Sequence, residues 1–589
     1  MAQATGGSYL LEKTGEREIF VPENLSDEQR QLADLVRNFI MGDVLPKSED
    51  IEHQQFDTTV GLLKKAGELG ILAAEVPEDL GGLAINKVTM VAMGEQSIFQ
   101  GSFSVSMMCH TGIGSWPVMY FGTPEQKQKF LTKLATGELI GAYCLTEPGS
   151  GSDALGMKAK AVPSADGKSW VLNGEKTFIT NGGFADLYTV FAKTEGDKTT
   201  AFLIERGTPG LSTGKEEKKM GIKGSSTTPV VMENCTIPKE NLLGEIGKGH
   251  KIAFNILNLG RFKLGVGATG ASKYLIGEAV KYAKDRKQFG KSITDFGLIR
   301  KKLAQMTTRT FVSESMNYRT ADLMDQKIKA LPKDANYDKQ VMEIVEEFAI
   351  ESSIAKIYGS ECVDMVADEG LQILGGYGFL EEYPFAAALR NTRINRIFEG
   401  TNEINRLLIP AMLFKAAMKG QLDLMNAIST VVGQLKDGWK KEGDGALSEE
   451  IHQVELAKRL TIYAAGCAAQ KFMDQLRDKQ YIAEYIAELA VESYAMETAT
   501  LRAIQLRKQF GDKAKLAEQI VKNFVNDTYP NLVVIARRLL LAVAEGNAEE
   551  FGKYNKALGR FEYFNPVDVT ALRDGIAQTV IDRDGYRIV

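Results

Sequence analysis

Ala142-Tyr143-Cys144-Leu145-Thr146-Glu147-Pro148-Gly149-Ser150-Gly151-Ser152-Asp153 is where the pattern of the chain changes. Before it, apolar residues recur at helical spacing. After it come short apolar runs separated by Gly, Asn, Asp and Pro, which is how strands read. Trp170-Val171-Leu172, Leu187-Tyr188-Thr189-Val190-Phe191 and Val230-Val231-Met232 are runs of this kind. A middle β domain over residues 142–249 is therefore expected between helical neighbours.

Upstream, Ser26-Asp27-Glu28-Gln29 has the Ser-x-x-Gln form of a capping box, and Leu32, Leu35, Val36, Phe39 and Ile40 come after it at helical spacing. Helical patterning continues through 62–69, pauses at Val76-Pro77-Glu78-Asp79-Leu80-Gly81-Gly82, and resumes over 88–121 and 124–136. Residues 1–141 thus read as an N-terminal helical domain. Downstream, helical periodicity returns near Lys251 and runs, with breaks at 287–295 and 331–338, to about Met418, as expected of a helical bundle domain over 250–420. Residues 421–447, with their polar, glycine-containing stretch 436–445, read as a linker, and 448–589 as an additional C-terminal helical domain. The expected fold is mainly α with an inserted β domain.

The 589 residues are 44% apolar, as in well-packed cores. With 71 Lys plus Arg against 76 Asp plus Glu the net charge is -5, which argues against a nucleic acid partner. Cys109, Cys144, Cys235, Cys362 and Cys467 lie far apart, and there are only four histidines, which argues for a reducing compartment and against a metal or thiol site. Met1-Ala2-Gln3-Ala4-Thr5-Gly6-Gly7 lacks the pattern of a targeting signal, so a cytoplasmic protein is expected. The apolar stretch 532–544 is interrupted by Arg537 and Arg538 and is too short to span a bilayer; a buried amphipathic helix is expected there.

Ile397-Phe398-Glu399-Gly400-Thr401-Asn402-Glu403-Ile404-Asn405-Arg406 is the stretch best suited to chemistry. A carboxylate behind an aromatic and beside a glycine can be partly desolvated, which makes it a stronger base. Taken by itself the stretch also reads as a helix start with Thr401 as N-cap.

Five stretches in order resemble the signatures of the acyl-CoA dehydrogenase family: 143–153, Phe178-Ile179-Thr180-Asn181-Gly182, Arg286-Lys287-Gln288-Phe289-Gly290, Gln372-Ile373-Leu374-Gly375-Gly376-Tyr377-Gly378 and 397–406. The order helices, β domain, bundle is also that family's, and the appended C-terminal domain resembles its very-long-chain branch. The resemblance implies FAD. Tyr143, Leu145 and Thr146 would offer backbone groups and a hydroxyl to the flavin. Gly151 and Ser152 would admit phosphate-bearing ligands, with Ser152 also touching CoA. Phe178 would cover the flavin where the family usually has tryptophan, and Thr180, two residues on, would reach the ring. Arg286, Gln288 and Phe289 would meet the pyrophosphate and adenine, and with Gln372, Gly375 and Gly376 complete the cofactor of a neighbouring subunit. Thr401 and Glu403 would also contact FAD. Read without the resemblance, the 149–152 loop is an ordinary turn as readily as a phosphate site, Phe178 is core, and Arg286 belongs to a solvated charge run.

The implied reaction is α,β-dehydrogenation of a long-chain fatty acyl-CoA to the trans-2-enoyl-CoA in β-oxidation. Glu399 would take the α-proton while the β-hydrogen passes to the flavin. Its backbone N-H and a ribityl hydroxyl would polarise the thioester. Phe398 and Gly400 would shape the site. Asn258 and Arg261 would bind substrate or position Glu399, although an exposed Arg261 is the alternative. Gly260 stands where some members carry the base. An electron-transferring flavoprotein would take the electrons, and a homodimer is expected. Val105, Met108, Cys109 and Gly112 fall on roughly one helix face; the small residues favour a deep acyl pocket, which Met108 partly fills. An acyl-CoA oxidase, or a non-catalytic scaffold that keeps the fold, is the alternative, and peripheral membrane contact by 446–589 is left open.

Overall fold

A computed structural model describes residues 4–441 and 443–589. Met1, Ala2, Gln3 and Glu442, which fall within the stretches read as N-terminal domain and linker, lie outside the described residues. The chain forms two compact units. One contains the chain up to Leu25 together with Leu264–Leu323 and Glu347–Val589; the other contains Ser26–Lys263 and Met324–Glu346.

The second unit opens on the capping box. The Ser26 hydroxyl accepts from the Gln29 backbone N-H, and the Gln29 side chain accepts from Ser26 N-H, starting the helix Asp27–Phe39. Its sheet contains, among the described residues, eight strands: β1 (Gly141–Cys144), β2 (Lys160–Pro163), β3 (Ser169–Thr180), β4 (Leu187–Thr194), β5 (Lys198–Glu205), β6 (Leu211–Thr213), β7 (Thr227–Pro238) and β8 (Leu242–Leu243). The order is β6-β7-β3-β2-β4-β5-β8, with β1 parallel to β4 in the register Gly141↔Leu187.

Both faces of its centre are covered. Tyr188, Val190, Phe202 and Ile204 point into a core of strand residues, while Leu187, Phe191, Ala201 and Leu203 pack with the helical residues Trp116, Phe130 and Ile256. That two-sided burial is why β4 reads as a continuous apolar run instead of alternating. The β3–β7 ladder shifts register between Lys176 and Ile179, a bulge that contains Phe178.

His110 fixes the entry into β1. Its Nε2–H donates to the Leu134 carbonyl at 2.9 Å and its Nδ1 accepts from Gly141 N-H at 3.1 Å, so the neutral ring fills both roles. Burial drives it from 6.5 down to about 4. Below 6.5 the unfolded chain takes up a proton that the folded chain refuses, so stability falls as pH drops from 6.5 towards 4. The loss is expected to reach about 2 kcal/mol by pH 5. Denaturant midpoints of the wild type and of His110→Gln check this; the substitution should flatten that part of the profile.

The first unit is helical around one apolar core. Helix Gly249–Asp285, from Leu264 onward, meets helix Ala349–Leu374 at unusually close range. A Cβ at Gly265 would sit 2.6 Å from the Ala355 carbonyl oxygen, so only glycine fits. The long helices Ser448–Phe472, Gln480–Phe510 and Lys515–Val543 pack on one another in the same core. The chain up to Leu25 threads into it: the Tyr9 hydroxyl donates to the Ala490 carbonyl at 2.9 Å. Arg502 joins Glu23 at 2.6 Å and Glu314 at 2.7 Å.

The stretch 421–447, read as a linker, contains the helix Leu424–Gln434. Leu424 and Val431 are buried, and Ile428 reaches onto Gly466, where a Cβ would approach it to 2.7 Å. The polar run after this helix masks its apolar spacing in sequence. Residues 532–543 end the helix Lys515–Val543 with Leu532, Ala536, Leu539 and Leu540 buried and Arg537 paired with Glu562. Among the described residues no helix is long and apolar enough to cross a membrane.

Candidate active site

In the first unit, Glu399 and Gly400 are consecutive left-handed residues, with φ of 59° and 78°. For glutamate that conformation costs energy and persists only where the surroundings hold it. The holders are specific. Fully buried Lys356 donates to the Gly400 carbonyl at 2.8 Å and to Asn402 Oδ1 at 2.6 Å. The Asn405 amide donates to the carbonyls of Gly400 and Thr401 at 2.8 and 2.9 Å. Arg406 grips Glu361, which in turn accepts from the Asn402 amide.

Thr401 caps the helix Asn402–Met418, accepting from Ile404 N-H at 3.2 Å. The helix-start reading is therefore correct, and Glu399 stands on the turn just before that helix. Glu403, exposed in the first turn, is held below the usual carboxylate range by its own backbone N-H and the Thr401 hydroxyl. Phe398 is half-buried against the same turn.

Arg286, Gln288, Phe289, Gly375 and Gly376 converge, with Tyr282 and Tyr377, on a groove of about 770 Å³. Phe289 is 92% exposed at φ 52°, and the Arg286 guanidinium lies 5.8 Å from the Tyr377 ring. Gln372, exposed at the end of helix Ala349–Leu374, does not line the groove, nor do Phe398 to Glu403.

In the second unit, Tyr143 and Leu145 turn their side chains into the core, and the Tyr143 hydroxyl donates to the Ala253 carbonyl at 3.3 Å. Only their backbone is on offer; Thr146 is half-buried. The loop after Thr146 is stapled by a pair that sequence spacing does not flag. Lys176 donates to the Leu145 carbonyl at 3.2 Å and to Glu147 at 2.7 Å, and Glu147 also accepts from the N-H groups of Lys158 and Ala159. Burial pushes the Glu147 carboxyl up, but these donors outweigh it and hold it low. Gly151 and Ser152 are exposed, with open space around Gly149 and Gly151.

Phe178 is not core. The bulge holds it at φ 58°, 64% exposed, and breaks the strand alternation that would have set it on one face with Thr180. Asn258 and Arg261 are buried as a pair, Nη1 donating to Oδ1 at 2.8 Å, so the exposed reading of Arg261 fails.

Val105, Met108 and Cys109 keep the helical spacing that sets them on roughly one face, but Gly112 leaves it. The helix Gly101–Cys109 runs into a π-turn, His110–Gly114, whose wider winding rotates the residues beyond it. Cys109 points its thiol at the Thr180 carbonyl, 3.9 Å away, and Gly112 abuts Trp116. Met108 instead joins Met107, Thr111 and Ser115 in lining a cavity of about 60 Å³ that also touches Glu75 and Lys263.

Models of the acyl-CoA dehydrogenase N-terminal domain match residues 26–138, of the middle domain 142–235, and of the C-terminal domain 247–414, with a further acyl-CoA dehydrogenase C-terminal domain at 456–551. The chain belongs to the acyl-CoA dehydrogenase family, whose members are FAD-dependent. It is 44% identical over 586 residues to a probable acyl-CoA dehydrogenase of Bacillus subtilis, covering 99% of this chain and 98% of that one. It is 37% identical over 486 residues to the rat very long-chain specific acyl-CoA dehydrogenase, covering 78% and 71%. A solved acyl-CoA dehydrogenase from Bacillus anthracis, complexed with FAD, superposes with a TM-score of 0.96 at 42% identity over 99% of this chain and 100% of that one.

The residues present fit that cofactor. Phe178 and Phe289 are rings that left-handed backbone holds out to solvent, where each could meet a flat partner. Arg286 offers a guanidinium for a pyrophosphate at the groove, and the open space at Gly149 and Gly151 lets a phosphate-bearing ligand approach.

Proposed function

We propose that the protein oxidises a long-chain fatty acyl-CoA to the trans-2-enoyl-CoA in fatty acid β-oxidation, with Glu399 as the base. The observation that carries this reading is the Glu399-Gly400 turn pinned by Lys356 and Asn405. A carboxylate on a stiff turn has few orientations to lose before it meets the α-carbon. The α-proton is weakly acidic, so charge developing on the thioester oxygen needs a donor, and the Glu399 backbone N-H takes that role in this reading. Bound FAD supplies the hydride acceptor.

Phe398 and Gly400 wall the substrate, and Asn258 with Arg261 form a buried polar pair on the helix that borders it. Tyr143, Leu145, Thr146, Gly151, Ser152, Phe178 and Thr180 serve the flavin and the CoA phosphates. Arg286, Gln288, Phe289, Gln372, Gly375 and Gly376 serve the cofactor of a second subunit in a homodimer, and Thr401 and Glu403 contact FAD from the carboxylate turn. Likeness to very long-chain relatives supports long substrates. The five free thiols support a reducing, cytoplasmic setting. An electron-transferring flavoprotein is the proposed acceptor.

Anaerobic titration with hexadecanoyl-CoA, with flavin absorbance as the readout, tests the reading: the flavin should bleach. A bound flavin that no acyl-CoA bleaches would sink it, and fast reoxidation of the bleached form by air would make the protein an oxidase. Lys356→Met is expected to slow bleaching about 10- to 100-fold while KM changes little, because the turn loosens without losing its substrate contacts. Stopped-flow rates, set beside retained FAD content, measure this.

A further inference from the structure

The cavity behind Met108 is walled by apolar side chains, yet its floor is charged. Met90, Met93 and Met107 form part of the wall, and Glu75, Thr111 and Lys263 form the polar end. Lys263 is only 8% exposed. Its ammonium donates to Thr111 Oγ1 at 2.8 Å and lies 4.9 Å from the Trp116 ring. The Glu75 carboxylate is 3.9 Å away, beyond hydrogen-bond reach.

Glu75 is committed elsewhere: its other oxygen pairs with Lys87 at 2.8 Å. Lys87 also has Tyr120 at 3.4 Å, and Asp325 is spent on the N-H groups of Lys87 and Val88 at 2.8 and 2.9 Å. Two buried ammonium groups thus share one carboxylate at the floor. Among the described residues, Lys263 makes one hydrogen bond with three donors. Buried donors without acceptors are costly and usually mark a missing partner. Burial also pushes the Lys263 ammonium down to about 8.

The missing partner is small. A cavity of about 60 Å³ holds roughly two atoms the size of a water oxygen. The helix that lines it also reaches β3. Cys109, between the lining residues Met108 and Thr111, touches the Thr180 carbonyl at the end of β3, the strand that presents Phe178.

We infer that Lys263 and Thr111 form a terminus site for the acyl chain, selecting chains whose far end carries an oxygen acceptor, a hydroxyl or a carboxylate. This rests on the acyl-CoA reading of the active site. A methyl-ended chain of the same length sets CH₃ against the unpaired ammonium donors, whereas an ω-oxygen satisfies them.

The test measures kcat/KM of the FAD-loaded enzyme on plain, ω-hydroxy and α,ω-dicarboxylic mono-CoA esters, from about eight to about eighteen carbons, for wild type, Lys263→Met and Thr111→Val. At one chain length the wild type should favour an ω-oxygenated ester by about tenfold, and Lys263→Met should reverse that preference. If Lys263→Met fails to retain FAD, Thr111→Val decides, and it should lower the preference severalfold. Plain esters preferred by the wild type at every length, or a preference that neither substitution moves, overturn the inference: the spare donors are then satisfied by buried water. In that case the flavin still bleaches with plain esters. Failure of every ester to bleach it overturns the acyl-CoA reading itself.

Discussion

Glu399→Gln is expected to leave FAD bound and to abolish bleaching by hexadecanoyl-CoA, a loss of about 10³-fold or more in the rate of flavin reduction. Glutamine keeps the length and planarity of the side chain, so the turn at φ 59° and its contacts to Lys356 and Asn405 have no reason to move. What disappears is the proton acceptor. Gly260, between Asn258 and Arg261, offers none. Bleaching is read anaerobically in a stopped-flow instrument beside the bound-flavin content. If the variant bleaches at the wild-type rate, the base lies elsewhere. If it loses FAD, the carboxylate is a cofactor-site residue, and the assignment of the turn to proton transfer fails.

Arg502→Met should give the largest loss of stability, about 3 to 5 kcal/mol, with the first unit unfolding at lower denaturant. The guanidinium is buried between Glu23 and Glu314, bonds the Ser315 hydroxyl at 3.1 Å and lies over the Phe311 ring at 4.3 Å. Removing it leaves two buried carboxylates facing each other. Burial pushes the Glu314 carboxyl up, but Arg502 and Lys273 outweigh it and bring it to about 2. That stability is present above the ordinary value of 4.5 and is lost as pH falls towards 2. Wild type should therefore soften in acid over this range, whereas Arg502→Met starts low and changes less. Denaturant titrations at pH 7 and pH 3 make the comparison. Breaking the exposed pair Lys508–Glu18 should leave the midpoint where it was.

These residues show how far sequence reaches. The Ser26–Gln29 box and the unbroken run of β4 are readable because local spacing and burial agree, and Glu399 stands out because an aromatic, a carboxylate and a glycine fall together. Lys356 does not, because a lone lysine in an apolar helix reads as the solvent face; buried, it is met by the Gly400 carbonyl from 44 residues away and by the Asn402 side-chain oxygen. Phe178 reads with a strand's alternation, which a bulge cancels, and Gly112 with an α-helical face, which the π-turn after Cys109 rotates. Lys263 reads as one more polar residue beside Asn258 and Arg261 on the same helix. Non-local partners decide such cases, and spacing within one segment does not report them.

The contact between Glu23 and Arg502 also sets an order in time. The two residues are 479 positions apart. On a ribosome adding about 5 to 20 residues per second, Glu23 waits roughly half a minute to a minute and a half for its guanidinium. During that interval the stretch from Ser26 to Lys263 has emerged, while the opening segment still lacks the helix that receives Tyr9. The segment that ends at Leu25 is thus made well before its partners and is among the last to find its place, and a nascent chain stalled before residue 502 should leave Tyr9 and Glu23 open to proteases and chaperones.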